Sequence, residues 1–399
     1  MDKLAILGGT PVRNQNLAYG KQSIDEEDIE RVVRVLKGDY LTTGPYVKEF
    51  EEKVAKYVGA KYAVAVANGT AALHMACFAA GISKGDEVIV SPITFVASAN
   101  CVLYCGGTPV FADIDPVTYN IDPKEIEKKI TEKTKAIIAV DFTGQAVDLD
   151  EIRKIANKHK LFVIEDAAHA LGSEYKGKKV GCLADMTAFS FHPVKPITTA
   201  EGGMITTNNK ELYEKMMIFR SHGVTRDSSL LKQSDGPWYY EQLELGYNYR
   251  ITDVQCALGS SQIEKIDDFI RRRRQIVSRY NQAFQNLKEI TTPFEAAYSN
   301  SGCHIYVIRI KPKLLNATRE DIFRALKAEN VGVNVHYIPV YLHPYYRELG
   351  YSVGLCPNAE RLYDEIITLP LFPKMTDQDI VDVINAVKKV IDYYSKVRC

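Results

Sequence analysis

Short apolar runs that alternate with helical segments constrain the fold of this 399-residue chain more than any other sequence feature. The runs are rich in Val and Ile: Tyr62–Ala67, Glu87–Val90, Pro109–Ala112, Ala136–Val140 and Leu161–Ile164. The helical segments include Ala71–Ala80, Pro123–Ile130 and Leu149–His159. Because the runs are continuously apolar rather than alternating, they predict parallel strands that are buried on both faces. With two further strands, Met186–Phe191 and Met204–Thr206, they predict a doubly wound α/β domain.

The pattern changes after residue 252. Apolar residues from Val254 to Leu287 recur on one face and predict one long helix. A strand at Cys303–Ile310, a helix at Arg319–Glu329, a strand at Gly332–His336 and a helix at Asp377–Tyr394 follow. We therefore expect an N-terminal arm over residues 1–22, a large domain over residues 23–252 and a smaller α+β domain over residues 253–399.

Charge and cysteine content exclude several classes of protein. Lys and Arg total 50, as do Asp and Glu, so the chain has no electrostatic footprint for nucleic acid or an anionic membrane. No apolar run approaches the ~18 residues of a membrane helix, and the first nine residues lack the apolar segment of a secretory signal. The eight cysteines are scattered among apolar residues, as is typical of reduced core thiols. We expect a cytoplasmic protein without a metal site.

Two other patterns bear on phosphate binding. The run Arg271–Arg274 lies within the predicted long helix, where a solvated face is the main interpretation and a phosphate site the alternative. The glycines in Leu7-Gly-Gly-Thr-Pro lack G-x-G-x-x-G spacing, and no Walker motif occurs. The sequence therefore does not indicate NAD or ATP binding.

A lysine with a restricted backbone follows the predicted strand Met186–Phe191. Lys195 lies between Pro193 and Pro196, and each proline fixes its own backbone angle φ. Local composition favours an exposed Lys on a turn. Ligands, however, bind at the carboxyl edge of parallel strands in such folds. Lys195 is therefore also a candidate for Schiff-base chemistry.

Two more polar segments reach the same predicted sheet edge. In the segment Phe162-Val-Ile-Glu-Asp-Ala-Ala-His169, Asp166 closes an apolar strand and is either a cap or a carboxylate that keeps a pyridinium nitrogen protonated. His169 follows three residues later, within reach of the same ligand. Gly69 and Thr70 open a predicted helix, and its N-terminus favours an anion, although small residues also begin helices for packing reasons.

Together these segments resemble the DegT/DnrJ/EryC1/StrS family of nucleotide-sugar aminotransferases. The resemblance runs from about Gly20 to Tyr394. Its motifs are Thr43-Gly-Pro with Phe50-Glu, Asn68-Gly-Thr-Ala-Ala-Leu, Pro92-Ile-Thr-Phe-Val-Ala-Ser, Glu165-Asp-Ala-Ala-His, Ser190-Phe-His-Pro-Val-Lys and Gly246-Tyr-Asn-Tyr-Arg. Two segments, Lys195-Pro-Ile-Thr-Thr-Ala-Glu-Gly-Gly and Phe219-Arg-Ser-His-Gly, are most similar to the branch that serves pseudaminic acid synthesis. The resemblance implies a pyridoxal 5'-phosphate (PLP) enzyme of fold type I, which is aspartate aminotransferase-like. Its large domain would hold a mostly parallel sheet.

The resemblance also implies roles for individual residues. Lys195 would hold the cofactor covalently and move the proton, and Asp166 would pair with the pyridinium nitrogen. The phosphate contacts would be Gly69, Thr70 and Ser190. Phe95 would stack on the ring, with core packing as the alternative, and His169, where the wider family has Gln, would contact the phenolic oxygen. Asn248 would reach the cofactor phosphate of a partner subunit, with a helix cap as the alternative. The nucleotide-sugar site would include Tyr19, Tyr40, Thr42, His336 and Tyr337.

The implied reaction transfers an amine from L-glutamate to the C4 ketone of a UDP-linked 4-keto-6-deoxy-N-acetylhexosamine. A homodimer with shared active sites would catalyse it. The main alternative is another nucleotide-linked keto sugar: a UDP-4-keto precursor of bacillosamine, a GDP-linked sugar of the perosamine type or a dTDP-linked sugar. Sugar dehydration is disfavoured because family members that dehydrate carry His where Lys195 stands. A regulatory or scaffold protein is a further alternative, which the absence of bound cofactor would favour.

Overall fold

Strands and helices alternate over residues 3–396, which the computed structural model describes. The strands are β1 Tyr62–Val66, β2 Glu87–Val90, β3 Thr108–Phe111, β4 Thr134–Val140, β5 Phe162–Asp166, β6 Glu174–Tyr175, β7 Lys178–Lys179, β8 Met186–Ser190, β9 Gly203–Thr207, β10 Val224–Thr225, β11 Glu241–Gln242, β12 Ile290–Thr291, β13 Ser299–Asn300, β14 Tyr306–Ile310 and β15 Ile366–Leu369. The helices are α1 Glu26–Leu36, α2 Pro45–Val58, α3 Gly69–Ala79, α4 Ala97–Tyr104, α5 Pro123–Lys129, α6 Leu149–His159, α7 Lys210–Arg220, α8 Asp253–Gln262, α9 Ile266–Phe284, α10 Arg319–Ala328, α11 Pro344–Glu348, α12 Pro357–Glu365 and α13 Asp377–Tyr394.

The central sheet contains seven strands in the order β1-β9-β8-β5-β4-β2-β3. The pairs from β8 through β5, β4 and β2 to β3 are parallel. β9 pairs antiparallel with both β1 and β8, so β1 runs in the same direction as the parallel strands. The predicted mostly parallel sheet is confirmed, and its carboxyl edge gathers the residues that follow β1, β5 and β8.

Helices cover both faces of this sheet. On β1, Val64 and Val66 pack into one apolar cluster with α3 and α4, whereas Ala63 and Ala65 pack into a second cluster with α2 and α6. Successive strand residues point to opposite faces. Both faces are thus apolar, which explains why the strand sequences are continuous rather than alternating.

A second, three-stranded sheet in the order β12-β14-β15 forms the base of the C-terminal part. It shares an apolar cluster with α9, α10 and α13. The prediction of one helix from Val254 to Leu287 is wrong, because a 3-10 turn at Ile263–Lys265 separates α8 from α9. α8 packs against α1 and α2 of the N-terminal part. The boundary at residue 252 stays a prediction.

Two further expectations need correction. The segment 332–336 is not a strand, because only Asn334 pairs with a neighbouring strand residue, Thr368. The Arg271–Arg274 run is not uniformly solvated, since Arg273 is only 2% exposed. Its Nη1 donates to the carbonyl oxygens of His304 and Leu371, each at 2.9 Å. This arginine thereby ties α9 to two loops of the C-terminal part.

The N-terminal arm lies along the C-terminal part. Leu17 forms a parallel bridge with Val331, and the Tyr19 carbonyl accepts a hydrogen bond from the Leu371 N–H at 3.0 Å. Seven cysteines within the described residues are free thiols, and Cys399 lies outside those residues. No helix of the described range combines the length and apolar character needed to cross a membrane.

Candidate active site

A cavity of about 1120 Å³ opens at the carboxyl edge of the parallel strands. Nine of the residues singled out from the sequence line it: Tyr19, Gly69, Thr70, Phe95, Asp166, Ser190, Lys195, His336 and Tyr337. They come from the arm, the α3 N-terminus, the segment between β2 and α4, the ends of β5 and β8, the β8–β9 connection and the segment after residue 332. The fold therefore assembles residues that are more than 300 positions apart in sequence at one site.

The N-terminus of α3 forms a cradle for an anion at one end of the cavity. The Asn68 side chain caps the helix by accepting from the Ala71 N–H at 2.8 Å. The N–H groups of Gly69 and Thr70 lie in the first turn of α3, where backbone N–H groups have no acceptor within the helix. They can therefore bind a ligand. Ser190 lies beside them, since a Cβ at position 69 would lie only 2.9 Å from Ser190 Cβ. This arrangement fits a phosphate group, which the helix dipole also favours.

Asp166 ends β5 as a buried carboxylate in the cavity wall. Its Oδ2 accepts from Ser98 Oγ at 2.5 Å, and its Oδ1 accepts from the Ala168 N–H at 3.1 Å. Burial raises the pKa of this carboxyl, while the Ser98 and Ala168 donors and the charge of Lys195 oppose the rise. An ionised carboxylate at this place fits a protonated ring nitrogen. Asp166 thus caps the turn through the Ala168 N–H and also lies in the cavity wall, so its role toward a cofactor stays a prediction.

Lys195 enters the cavity from the connection between β8 and β9. Its N–H donates to the His192 carbonyl at 2.9 Å, which closes a turn. Burial lowers the pKa of its amine to about 8, and the charge of Asp166 partly counteracts this effect. The alternative that Lys195 is an exposed surface residue is therefore wrong. A lysine amine with a lowered pKa is suited to covalent attachment of an aldehyde cofactor.

Two buried histidines lie next to each other at the cavity, and one of them, His304, lines it. His169 Nε2 is 3.1 Å from Tyr337 Oη, and the His169 and His304 rings are 4.4 Å apart. Burial lowers the pKa of both histidines, and the positive charge of Lys195 lowers it further, so both are neutral. His304 lines the cavity but was not singled out from the sequence, because it falls in the apolar run predicted as a strand. A lone polar residue among strand residues was the only available signal.

Phe95 and His336 lie at other walls of the cavity. Phe95 is 60% exposed, so the alternative that it packs in the core is wrong. His336 is buried, its Nδ1 lies 2.9 Å from Thr368 Oγ1, and its ring lies 5.3 Å from that of Tyr19. Burial lowers the pKa of His336 to about 4, which keeps this side chain neutral.

Four predicted site residues do not line the cavity of their own chain. One of them, His169, is buried. Tyr40, Thr42 and Asn248 are exposed. Thr42 pairs with Thr252, and Asn248 pairs with Ser221. The loop that carries Tyr40 and Thr42 thus runs beside the segment that carries Asn248.

Comparison with known proteins covers nearly the whole chain. The model of the DegT/DnrJ/EryC1/StrS aminotransferase family matches residues 22–388. An uncharacterized protein of Methanocaldococcus jannaschii is 46% identical over 95% of this chain and 99% of its own length. The spore coat polysaccharide biosynthesis protein SpsC of Bacillus subtilis is 44% identical over 95% and 98%. A Campylobacter jejuni UDP-4-amino-4,6-dideoxy-N-acetyl-beta-L-altrosamine transaminase is 39% identical over 96% and 100%.

Solved structures give the same result. PseC of Helicobacter pylori, an aminotransferase involved in the biosynthesis of pseudoaminic acid, matches with a TM-score of 0.89 and 35% identity over 95% of this chain and 100% of its own. A sugar aminotransferase of Streptococcus pneumoniae in its PLP form matches with a TM-score of 0.88 and 32% identity over 95% and 99%. The fold type and cofactor implied by the motifs are thereby confirmed. The chain belongs to the DegT/DnrJ/EryC1/StrS aminotransferase family and is a PLP-dependent sugar aminotransferase.

Proposed function

We propose that this enzyme transfers the amine of L-glutamate to the C4 ketone of a UDP-linked 4-keto-6-deoxy-N-acetylhexosamine. The product is a 4-amino sugar for glycans of the pseudaminic acid type. The observation that carries the proposal is one cavity that holds Lys195, Asp166 and the α3 N-terminus together. The names of the Campylobacter and Helicobacter relatives support this choice of sugar.

Different residues of the cavity have different roles in the proposed reaction. PLP, when bound, supplies a protonated ring that accepts the electron pair released at the substrate carbon. Lys195 would hold the cofactor through its amine, and the same amine would carry the proton that moves to or from the substrate carbon. Asp166 keeps the ring nitrogen protonated, and Gly69, Thr70 and Ser190 hold the phosphate. Proton transfers of this kind call for a mobile amine and an electron sink.

The remaining cavity residues would fix the cofactor ring and the sugar nucleotide. Phe95 would stack on the ring, and His169 would contact its phenolic oxygen. Tyr19, His336 and Tyr337 would form the wall that receives the nucleotide sugar, and Tyr40 and Thr42 would reach that wall only from a partner subunit. Two contacts support this assignment. The rings of Tyr19 and His336 join the arm to the C-terminal part, and the His169–Tyr337 hydrogen bond joins the large domain to the C-terminal part.

We also propose that the active unit is a homodimer in which Asn248 bonds the partner's cofactor phosphate. Exposure of Asn248, Tyr40 and Thr42 outside their own cavity supports this arrangement. The apolar face of α1 supports it as well. Ile29 is 47% exposed and Leu36 58% exposed, whereas the polar Asp28 is buried. An exposed apolar face near these residues is typical of a protein interface.

A different keto sugar is the second candidate substrate. The Bacillus relative named for spore coat polysaccharide biosynthesis is more similar in sequence than the Campylobacter transaminase. Dehydration of the sugar is disfavoured because Lys195 is present at the position that would hold the cofactor. A regulatory or scaffold role is disfavoured because Lys195, Asp166 and the α3 N-terminus lie together in one cavity.

A substrate panel tests this assignment. Purified holoenzyme is incubated with glutamate and, separately, with UDP-, GDP- and dTDP-linked 4-keto-6-deoxy sugars, including both C5 epimers of the UDP sugar. We expect the amino sugar only, or fastest, from a UDP-linked N-acetylated substrate, as detected by mass spectrometry and proton NMR. A preference of more than tenfold for a GDP- or dTDP-linked sugar would overturn the assignment. Amination of only the UDP sugar whose C5 configuration is opposite to that of the pseudaminic acid series would overturn it as well. The Lys195→Ala variant is the matched control.

A further inference from the structure

Two buried hydroxyl groups in the cavity wall are linked by hydrogen bonds to the Asp166 carboxylate. Ser98 Oγ lies 2.5 Å from Asp166 Oδ2, and Thr94 Oγ1 lies 2.6 Å from Ser98 Oγ. Ser98 is 0% exposed and Thr94 is 3% exposed. Both residues belong to the motif Pro92-Ile-Thr-Phe-Val-Ala-Ser, in which the assignments above use only Phe95.

The chemistry of the three side chains fixes the direction of these hydrogen bonds. An ionised carboxylate only accepts, so the single hydroxyl proton of Ser98 points to Asp166 Oδ2. Thr94 must then donate to Ser98 Oγ. The other carboxylate oxygen of Asp166 accepts from the Ala168 N–H at 3.1 Å. An ionised Asp166 therefore has two donors: the Ser98 hydroxyl on α4 and the Ala168 N–H in the turn that follows β5.

Few charged groups face Asp166 from the surrounding elements. Lys195, from the β8–β9 connection, is the one that lowers its pKa. Asp141 follows β4, Cys101 lies on α4 and Tyr337 belongs to the segment after residue 332, and the charge of Asp166 raises the pKa of each of these. The Ser98 hydroxyl and the Ala168 N–H thus stabilise the carboxylate whatever the charge state of Lys195, and Ser98 is the side-chain donor of the two.

We propose that Ser98 and Thr94 are positioning residues that keep Asp166 ionised and fix its orientation toward the cofactor ring nitrogen. The inference rests on the proposed role of Asp166 in the proposed function. Neither hydroxyl needs to touch the cofactor, because each acts through the next group in the order Thr94, Ser98, Asp166. A buried hydrogen bond to a charged group is stronger than one between neutral groups, which makes this chain effective.

Substitutions that remove one hydroxyl at a time test the proposal. Thr94→Val removes the hydroxyl at nearly constant volume, whereas Thr94→Ser keeps it and serves as the matched control. Ser98→Ala removes the donor next to the carboxylate. The readout is the PLP affinity of each apoenzyme against pH, followed by absorbance. For Ser98→Ala we expect an affinity loss of about tenfold or more, and an upward shift of about one to two pH units in the acid limit of binding. Thr94→Val should shift it less, and Thr94→Ser should match the wild type.

A double-variant comparison separates this role from simple packing. In an Asp166→Asn background, Ser98→Ala should cost little further PLP affinity, because the carboxylate that it supports is gone. The proposal is wrong if Ser98→Ala costs as much in that background as in the wild type. It is also wrong if Thr94→Val and Ser98→Ala lower the melting temperature but leave the affinity profile unchanged. Should Ser98→Ala not fold, the Thr94→Val and Thr94→Ser pair decides alone. No sugar is present, so a wrong sugar assignment leaves this test intact.

Discussion

At the scale of single residues, the Lys195 amine has an environment that favours its neutral form. Burial lowers its pKa to about 8. An ordinary lysine has a pKa of about 10.4, so its reactive neutral fraction at pH 7 is far below the roughly one tenth expected for Lys195. Because the neutral amine is the nucleophile, this shift prepares Lys195 for cofactor attachment.

This environment predicts a distinct reactivity for Lys195 in the apoenzyme. Modification by a small acylating reagent should rise with pH around a midpoint near 8, the value to which burial lowers the pKa. Asp166→Asn should move that midpoint lower still, because the carboxylate charge favours the ammonium form. Peptide mass spectrometry follows the modification, with the 80% exposed Lys48 as internal reference. A Lys195 profile that coincides with that of Lys48 would contradict the account.

Asp166 predicts a second effect, on turnover. Asp166→Asn keeps the shape of the side chain but removes the charge that holds the ring nitrogen protonated. Loss of that charge should lower the pKa of the ring nitrogen by several units, and each unit corresponds to ~1.4 kcal/mol. Both half-reactions should therefore slow by orders of magnitude. Stopped-flow absorbance measures each half-reaction. Glu165→Gln is the control, since this neighbouring residue points to the opposite face of β5. A loss below about threefold for Asp166→Asn would mean that Asp166 is only a turn residue.

At the scale of elements, β9 allows α3 to approach β8. Gly203 lies between Val66 and Ser190 in the sheet register. A Cβ at position 203 would lie only 2.4 Å from the Asn68 carbonyl oxygen. Since real Cβ atoms do not approach backbone so closely, glycine is required here. The phosphate cradle thus depends on a strand that contributes no polar side chain to it.

The prediction for this element is that Gly203→Ala weakens cofactor binding. The added methyl group must push the α3 N-terminus away from Ser190, which should lower PLP affinity by about tenfold and stability by ~1–3 kcal/mol. Fluorescence titration and thermal unfolding measure the two effects. Gly38→Ala is the control, because the nearest atoms to a Cβ there lie at 3.4 and 3.6 Å. Wild-type affinity in Gly203→Ala would refute the dependence.

Elements with strong local patterns were predictable from the sequence. α6 and α13 have the predicted bounds, and β5 ends at Asp166, which is why this carboxylate could be placed at the sheet edge. Segments whose structure depends on distant partners were not predictable. Residues 332–336 contain strand-forming residues, yet pairing is limited to Asn334 because the segment leaves β15 to line the cavity.

The residues of the candidate site fall into the same two groups, those set by local pattern and those that depend on distant partners. Residues at strand or helix ends, such as Lys195 and Gly69, could be placed because the element pattern puts them at one sheet edge. Arg273 could not, since a charge run has the appearance of a solvated face and its carbonyl partners are 31 and 98 residues away. The roles of Tyr40 and Asn248 came from the family resemblance alone and stay predictions.

At the scale of the whole molecule, each active site is proposed to use residues of two chains. Lys195 lines the cavity of its own chain, whereas Asn248 is exposed outside it. In a dimer with twofold symmetry, the Asn248 of each chain would reach the cofactor phosphate of the other chain. Variants at the two positions should then complement each other.

Mixed dimers test this arrangement. Lys195→Ala and Asn248→Asp should each be nearly inactive, the second because a carboxylate repels the phosphate. After co-expression, one site of each mixed dimer has both wild-type residues. Random assortment makes half of the dimers mixed, so activity should return to roughly a quarter of wild type. Differently tagged subunits verify that mixed dimers form. If they form and stay inactive, the shared site is wrong.

The central claim is that this chain moves an amine from glutamate to a nucleotide-linked keto sugar through one cofactor site. The most direct measurement is a single turnover with 15N-labelled glutamate. The holoenzyme is treated with the label, freed of small molecules by gel filtration, and mixed with the UDP-linked 4-keto-6-deoxy sugar. The account predicts about one 15N-labelled 4-amino sugar per subunit, and none from Lys195→Ala. Recovery of unchanged keto sugar, or of a dehydrated sugar without 15N, would contradict it.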